Sequence, residues 1–408
     1  MKEIQFSVCG CGHRSGYLAC NLIASIEGVV VGAVCDPYPD RAEELADRIN
    51  EKWGYRPAVY TDYTAMFDAE KPDAVFVATG WRQHFPISMD AMERGIAVAC
   101  EIGACFSEEE CWQLVDTYER TKTPFMFMEN CCFGKDELLA LSMVRKNLFG
   151  EIVHCHGAYR HDLRDGLAHG RLREHYRTEE YANCNCENYP THDLGPIAKI
   201  LNINRGNRML SLSARASKAR GLADFINRAD DETLANMKGV VFNQGDIVET
   251  LISCENGELI SLKLDTTLPT FYSREFTVRG TRGFYEQEPN IVYFDGEDHN
   301  MGAAAFYKDN LNSAEKYYDE HLPPIWKAVT PEIMEAGHGG MDYFEFQAFC
   351  DALRKGEEMP IDVYDAAAWA SIAYLSARSI ANDGASIKIP DFTRGAYKTR
   401  PQKDVVEL

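Results

Sequence analysis

Tyr189 and His192 stand three residues apart in Asn188-Tyr189-Pro190-Thr191-His192, near the middle of a 408-residue chain. If the segment starts a helix, a phenol and an imidazole at this spacing share one face, and together they donate and accept protons near neutral pH. The spacing alone equally fits a Tyr-Pro helix start with a buried, hydrogen-bonded histidine. Tyr159 and His161 lie two apart in the apparent strand Ile152–His161, so both project to one face, while His154 and His156 project to the other and read as sheet-packing residues. Cys184 and Cys186 precede His192, but Cys-x-Cys without a second pair at finger-like spacing is a poor zinc signal, and no metal is expected.

These side chains need a framework, and the first 130 residues supply one kind. Short apolar runs at Ile4–Val8, Val29–Cys35, Ala74–Ala78, Ala97–Cys100 and Phe125–Met128 alternate with stretches of helical period such as Asp40–Trp53 and Ser107–Thr121. That alternation implies a parallel sheet covered on both faces. Ser107 with Glu110 forms a capping-box start. Directly after the first run comes Gly10-Cys11-Gly12-His13-Arg14-Ser15-Gly16, and Asp36 ends the second run 24 residues after Gly12. The glycines permit a tight turn and close backbone approach to a pyrophosphate, the following helix offers its first N–H groups, and Arg14 adds charge. Asp36 can hold ribose hydroxyls and would repel a 2′-phosphate, so NAD is expected rather than NADP. Gly10, Gly12, His13, Arg14, Ser15 and Asp36 are therefore candidate cofactor contacts. Thr79, Trp81 and His84 after the fourth run and Glu101 after the fifth join them, because an open α/β sheet binds its ligand at the carboxyl ends of its strands.

The domain boundary falls at a short crossover near Glu129–Phe133. Beyond residue 150 longer alternating runs appear at Ile152–His161, Ile247–Cys254, Leu259–Thr266 and Glu275–Arg279, with helices around Tyr343–Lys355 and Tyr364–Asn382. The expected fold is α/β: a Rossmann dinucleotide-binding domain over 1–130, then an α+β substrate domain over 131–408 with an open, mostly antiparallel sheet. Residues 295 to 336 read as an ordered excursion over the sheet or at a subunit contact. The balance of 42 basic against 63 acidic side chains, net −21, argues against nucleic acid or an anionic membrane as partner and favours a small neutral or cationic ligand. Fourteen scattered cysteines, with no signal-like start and no membrane-length apolar run, suggest the cytoplasm.

The Rossmann half, the Thr79 to His84 spacing and the acidic residue after the fifth run resemble the dehydrogenase superfamily that includes glucose–fructose oxidoreductase and inositol dehydrogenase. Those enzymes usually carry Glu-Lys-Pro where this chain has Glu101-Ile102-Gly103, so the usual lysine is missing. Nearly the whole chain instead resembles glycoside hydrolase family 109, the NAD-dependent α-N-acetylgalactosaminidases. The resemblance rests on Glu129-Asn130-Cys131-Cys132-Phe133-Gly134, Tyr159-Arg160-His161-Asp162-Leu163-Arg164, Tyr189-Pro190-Thr191-His192, Tyr272-Ser273-Arg274, His338-Gly339-Gly340-Met341-Asp342 and Asp391-Phe392-Thr393-Arg394-Gly395. It departs at Asp193, where family members read glycine, and at Asn183 to Glu187, which replaces a more basic stretch.

The resemblance implies hydrolysis by transient oxidation at C3 of a sugar, C2 deprotonation, elimination and water addition, with no net redox change. An NAD-dependent glycosidase family is among the exceptions to the two-carboxylate scheme. It assigns His192 to the C3 hydroxyl and either Tyr159 or Tyr272 to the C2 proton, with Tyr189 as a wall or hydrogen-bond partner. Glu129 and His161 would orient the sugar, Asn130 would join the cofactor contacts, and Arg274 or Arg160 would lower the tyrosine pKa. A plain sugar 3-dehydrogenase with net NADH formation is the rival reading, and a non-catalytic NAD-binding sensor a third. A homo-oligomer is expected from the superfamily.

Overall fold

Strands β1 (Ile4–Cys9), β2 (Val29–Cys35), β3 (Ala58–Tyr60), β4 (Ala74–Val77), β5 (Ala97–Glu101) and β6 (Phe125–Met128) form a parallel sheet in the order β3-β2-β1-β4-β5-β6. The computed structural model describes residues 3–171, 175–296 and 312–408. Strands β4 and β6 are apolar on both faces, as expected where helices cover both sides. The covering helices include α1 (His13–Asn21), α2 (Pro39–Trp53), α3 (Tyr63–Glu70), α4 (Trp81–Glu93) and α5 (Glu108–Thr121). Ser107 caps α5 by accepting from the Glu110 N–H, and the Glu110 carboxylate reaches back to the Phe106 N–H at 2.6 Å. Strand β3, only three residues of Ala-Val-Tyr, is too short to announce itself by alternation.

The chain divides into two compact units: residues 1–133 with 328–370 and 404–406, and residues 134–327 with 371–403 and 407–408. The first unit thus includes a late return carrying the helix Met341–Lys355, which packs Phe346 and Phe349 on Phe76 and Phe6 of its sheet. A division at residue 130 into two continuous stretches leaves this return with the second half. The unit takes it back because its apolar face completes the core over β1 and β4.

The second unit holds a nine-stranded sheet in the order β14-β13-β12-β11-β7-β10-β9-β8-β15. Its strands are β7 (Ile152–Arg160), β8 (Met209–Ala216), β9 (Ile247–Cys254), β10 (Leu259–Asp265), β11 (Thr277–Gly280), β12 (Gly283–Glu286), β13 (Ile291–Phe294), β14 (Asn312–Ser313) and β15 (Ile387–Lys388). Among the described residues of this sheet only β7 and β10 pair in parallel, and the other strand pairings are antiparallel. The strand expected over Glu275–Arg279 begins at Thr277, because Glu275 takes a left-handed φ of +44° that breaks the ladder. Part of the excursion expected over 295–336 lies outside the described residues; its later part holds short helices such as Pro331–Glu335. No helix among the described residues is long and apolar enough to cross a membrane.

Candidate functional site

In the first unit the glycine loop joins β1 to α1. Gly10 has φ +94°, and a Cβ there would lie 2.5 Å from the Ala78 carbonyl oxygen, so only glycine fits. Gly12 is the N-cap of α1, no side chain caps that helix among the described residues, and a Cβ at Gly12 would meet nothing within 4 Å. The N-terminus of α1 is therefore uncrowded at Gly12, the arrangement that receives a pyrophosphate. His13 is exposed, whereas Ser15 is buried and donates its hydroxyl to the Gly12 carbonyl oxygen at 3.2 Å. Asp36 pins the loop: its carboxylate accepts from the Cys11 N–H at 2.8 Å and the Tyr38 N–H at 3.0 Å, and each oxygen keeps a second lone pair for a ribose hydroxyl.

Thr79 is half-buried beside the N-terminus of α4, and Trp81 lies buried over Gly103. A Cβ at Gly103 would fall 2.6 Å from the Trp81 ring, so the glycine in Glu101-Ile102-Gly103 makes room for the indole. His84 donates Nε2–H to the Thr79 carbonyl oxygen at 3.1 Å, and burial pushes its imidazole down to about 4. His84 is thus a neutral brace for the loop.

Arg14 is committed to carboxylates: Nε–H donates to Glu101 at 3.0 Å, and its two terminal nitrogens donate to Asp342 at 2.7 and 2.9 Å. His338 Nδ1 lies 2.9 Å from both Arg14 and Asp342. Burial works against the Asp342 charge, but the bonds to His338 and Arg14 hold the carboxyl well below the usual range. Asn130 donates to the same carboxylate at 2.7 Å, and Glu129, fully buried, accepts from the Cys131 N–H at 3.1 Å. Asp342, His338 and the buried Glu345, whose carboxyl is raised by burial and then by Glu101 and Asp342, had no role assigned from sequence. The signal available was the glycine run at 337, 339 and 340, all at positive φ.

In the second unit β7 and the helix Thr191–Ile200 gather the aromatic candidates. Tyr159 is buried, its hydroxyl 3.0 Å from His161 Nδ1, and its ring stacks on Tyr189 at 4.3 Å. His192, in the first turn of the helix, sets its ring edge-on to both, at 5.4 Å from Tyr159 and 4.8 Å from Tyr189. Tyr272, about half exposed, lies edge-on to His161 at 5.2 Å and to Tyr159 at 6.4 Å. The structure brings together all five of these rings. Arg177, absent from the sequence candidates, is half-buried with its guanidinium 4.8 Å over the Tyr189 ring. Nothing in its local pattern distinguishes it from a surface arginine.

His154 and His156 instead meet Ser261 on β10, at 3.2 and 2.8 Å, and His156 also meets Glu275 at 3.3 Å. Of the two candidate cations, Arg160 is bonded to Thr270 and Glu275 and covers Phe271. Arg274 is the one that reaches a catalytic candidate, donating to the Tyr272 hydroxyl at 3.2 Å.

Residues 4–128 match the family described as "Oxidoreductase family, NAD-binding Rossmann fold", and residues 133–399 match "Glycosyl hydrolase 109, C-terminal domain". A glycosyl hydrolase family 109 protein of Stenotrophomonas maltophilia is 36% identical over 422 residues, 98% of this chain and 91% of the relative. An alpha-N-acetylgalactosaminidase of Tannerella forsythia is 36% identical over 417 residues, 97% and 87% of the two chains. Among solved structures, a levoglucosan dehydrogenase in complex with NADH and levoglucosan shares the fold with TM-score 0.70 at 18% identity, covering 95% of this chain and 100% of that one. A myo-inositol 2-dehydrogenase from Lactobacillus plantarum does so at 0.66 and 17%, covering 95% and 100%.

Proposed function

The chain belongs to glycosyl hydrolase family 109, as an NAD-dependent glycoside hydrolase, and we propose from that membership that it cleaves N-acetylgalactosaminide-like or related hexosides without net redox change. The observation that carries this reading is the five-ring cluster of Tyr159, His161, Tyr189, His192 and Tyr272, built within one unit of a chain whose other unit is an NAD-binding Rossmann domain.

NAD, when bound, supplies transient hydride acceptance at the sugar's C3 and returns the hydride after hydrolysis. Gly10, Gly12 and the first turn of α1, with His13 and Ser15, would hold its pyrophosphate, Arg14 would brace that loop through Glu101 and Asp342, and Asp36 would hold its ribose. Thr79, Trp81, His84, Glu101 and Asn130 would shape the remainder of that pocket. His192 takes the proton of the C3 hydroxyl. A tyrosine removes the C2 proton that the ketone has acidified, and the C1 substituent leaves by elimination before water adds. The stacked Tyr189 walls the ring, while His161 and Glu129 orient its hydroxyls. The chain would act in the cytoplasm as a homo-oligomer.

The test is to incubate the purified protein, without added cofactor, with a panel of aryl glycosides in heavy water. Aglycone release with deuterium at C2 and no build-up of NADH is expected. Hydrolysis without C2 deuterium, or NADH accumulating without hydrolysis, would sink the reading and favour a sugar 3-dehydrogenase in the second case.

A further inference from the structure

Within the second unit one guanidinium stands between a buried carboxylate and an exposed phenol. Arg274 donates Nη1–H to the Tyr272 hydroxyl at 3.2 Å, Nε–H to Glu137 at 2.8 Å and Nη2–H to Glu137 at 2.6 Å. Glu137 sits on the helix Lys135–Arg145 and is almost wholly buried, with Gln287 donating to it at 3.3 Å and to the adjacent Asp136 at 3.1 Å. Burial pushes the Glu137 carboxyl up, and Arg274 pulls it back.

The backbone aims Arg274 at this position. Ala158 and Arg160 of β7 donate their N–H groups to the Arg274 and Ser273 carbonyl oxygens at 2.6 and 3.1 Å, docking the segment along the strand. The next residue, Glu275, takes a left-handed φ and its carboxylate is bracketed by Arg160 at 2.7 Å, Lys263 at 2.5 Å and the His156 ring at 3.3 Å. A non-glycine residue keeps such a φ only where its surroundings fix it. Glu275 thereby anchors the turn, and Arg274 is left to span Glu137 and Tyr272.

We propose that Arg274 is a positioning residue that readies Tyr272, rather than Tyr159, to take the C2 proton, with Glu137 orienting and moderating the guanidinium. The proposal rests on the glycosidase reading above. The two phenols differ in what they touch. Tyr159 is buried under Tyr189 with its hydroxyl bonded to His161, whereas Tyr272 is exposed to solvent and receives a charged donor, which favours phenolate over phenol. Facing Tyr272 are Arg274 from its own segment, Tyr159 of β7 and His161 just beyond the end of β7, with Glu137 behind Arg274. In the step, the C2–H bond breaks and its proton goes to the Tyr272 oxygen. The released pair forms the C1–C2 double bond as the C1–O bond breaks, and the departing oxygen takes a proton from solvent.

The experiment follows the pH dependence of C2 deuterium wash-in in the full-length enzyme with its own cofactor. Arg274→Gln should move the acid limb of the exchange rate to higher pH by about one unit or more, since the phenolate loses its cation. Glu137→Gln keeps an oxygen for the guanidinium but removes the opposing charge, so the limb should move the other way or stay. Arg274→Lys keeps a cation and should restore most of the wild-type limb, and it serves where the glutamine variant does not fold. A merely structural role would lower the rate of both glutamine variants and leave the limb of Arg274→Gln in place. An unmoved limb in Arg274→Gln or Arg274→Lys carrying the glutamine shift overturns the proposal, as does full C2 exchange in Tyr272→Phe. Absence of aglycone release or C2 exchange in the wild type overturns the underlying glycosidase reading instead.

Discussion

Gly157 of β7 and Asp193 of the helix Thr191–Ile200 are in closest approach: a Cβ built on the glycine would lie 2.5 Å from the Asp193 Cβ. The helix sits down on the sheet at this point, and His192 next to Asp193 is thereby set against Tyr159. Gly157→Ala must lift or tilt the first turn. We expect a stability loss of about 1–3 kcal/mol from overpacking. Because catalysis depends on near-contact geometry, kcat should also fall by roughly tenfold or more. Denaturant unfolding beside steady-state kinetics checks this; a destabilised variant with unchanged kcat would show that His192 does not depend on that contact.

The Arg14–Asp342 pair ties the cofactor loop to the late return of the first unit, across 328 residues of sequence. Asp342→Asn should weaken that tie and lower the fraction of NAD that survives gel filtration, measured by absorbance after denaturing the protein. The pH sign follows from the depressed carboxyl. Its stabilisation is fully present above the ordinary carboxylate value of about 4 and is lost as pH falls below it. Wild-type melting temperature should therefore drop more steeply than that of Asp342→Asn in acid, and parallel curves would refute the assignment.

Tyr159 and His161 are hydrogen-bonded within the ring cluster, at 3.0 Å. Tyr159→Phe keeps the stack on Tyr189 and removes that bond. Loss of one hydrogen bond of about 1 kcal/mol predicts a fall in kcat/KM of roughly fivefold to tenfold, with C2 exchange retained. Complete loss of exchange would move the proton-accepting role to Tyr159.

The first unit was legible because its signals are local. The glycine loop, Asp36 and the apolar runs each carry their meaning within a few residues, and period-two logic put Tyr159 and His161, the latter just past the end of β7, on one side and His154 and His156 on the other. Arg14 was not legible in the same way. Its partners Glu101 and Asp342 come from distant segments, and no spacing rule connects them. Arg177 and Glu137 escaped for a related reason: a charge that is wholly or partly covered is defined by what packs over it, and a charged residue in a polar stretch reads as solvated. The Glu275–Arg279 run looked like a strand because side-chain pattern does not show a left-handed φ at a residue whose carboxylate Arg160, Lys263 and His156 bracket.

Glu187, two residues before Tyr189, is fully buried, and its carboxyl is pushed up to about 8, first by burial and then by Glu249. The sign is opposite to that of Asp342. The folded protein binds the Glu187 proton more tightly than the unfolded chain, so stability is highest below the unfolded value of about 4.3 and declines as pH rises toward 8. Glu187→Gln supplies a permanently neutral side chain of the same shape. It should be more stable than wild type at pH near 9, by about 1 kcal/mol or more, and little different near pH 5. Denaturant midpoints at the two pH values measure the difference. If the variant and wild type lose stability in parallel between them, the carboxyl is ionised in the folded protein and another group carries the alkaline loss.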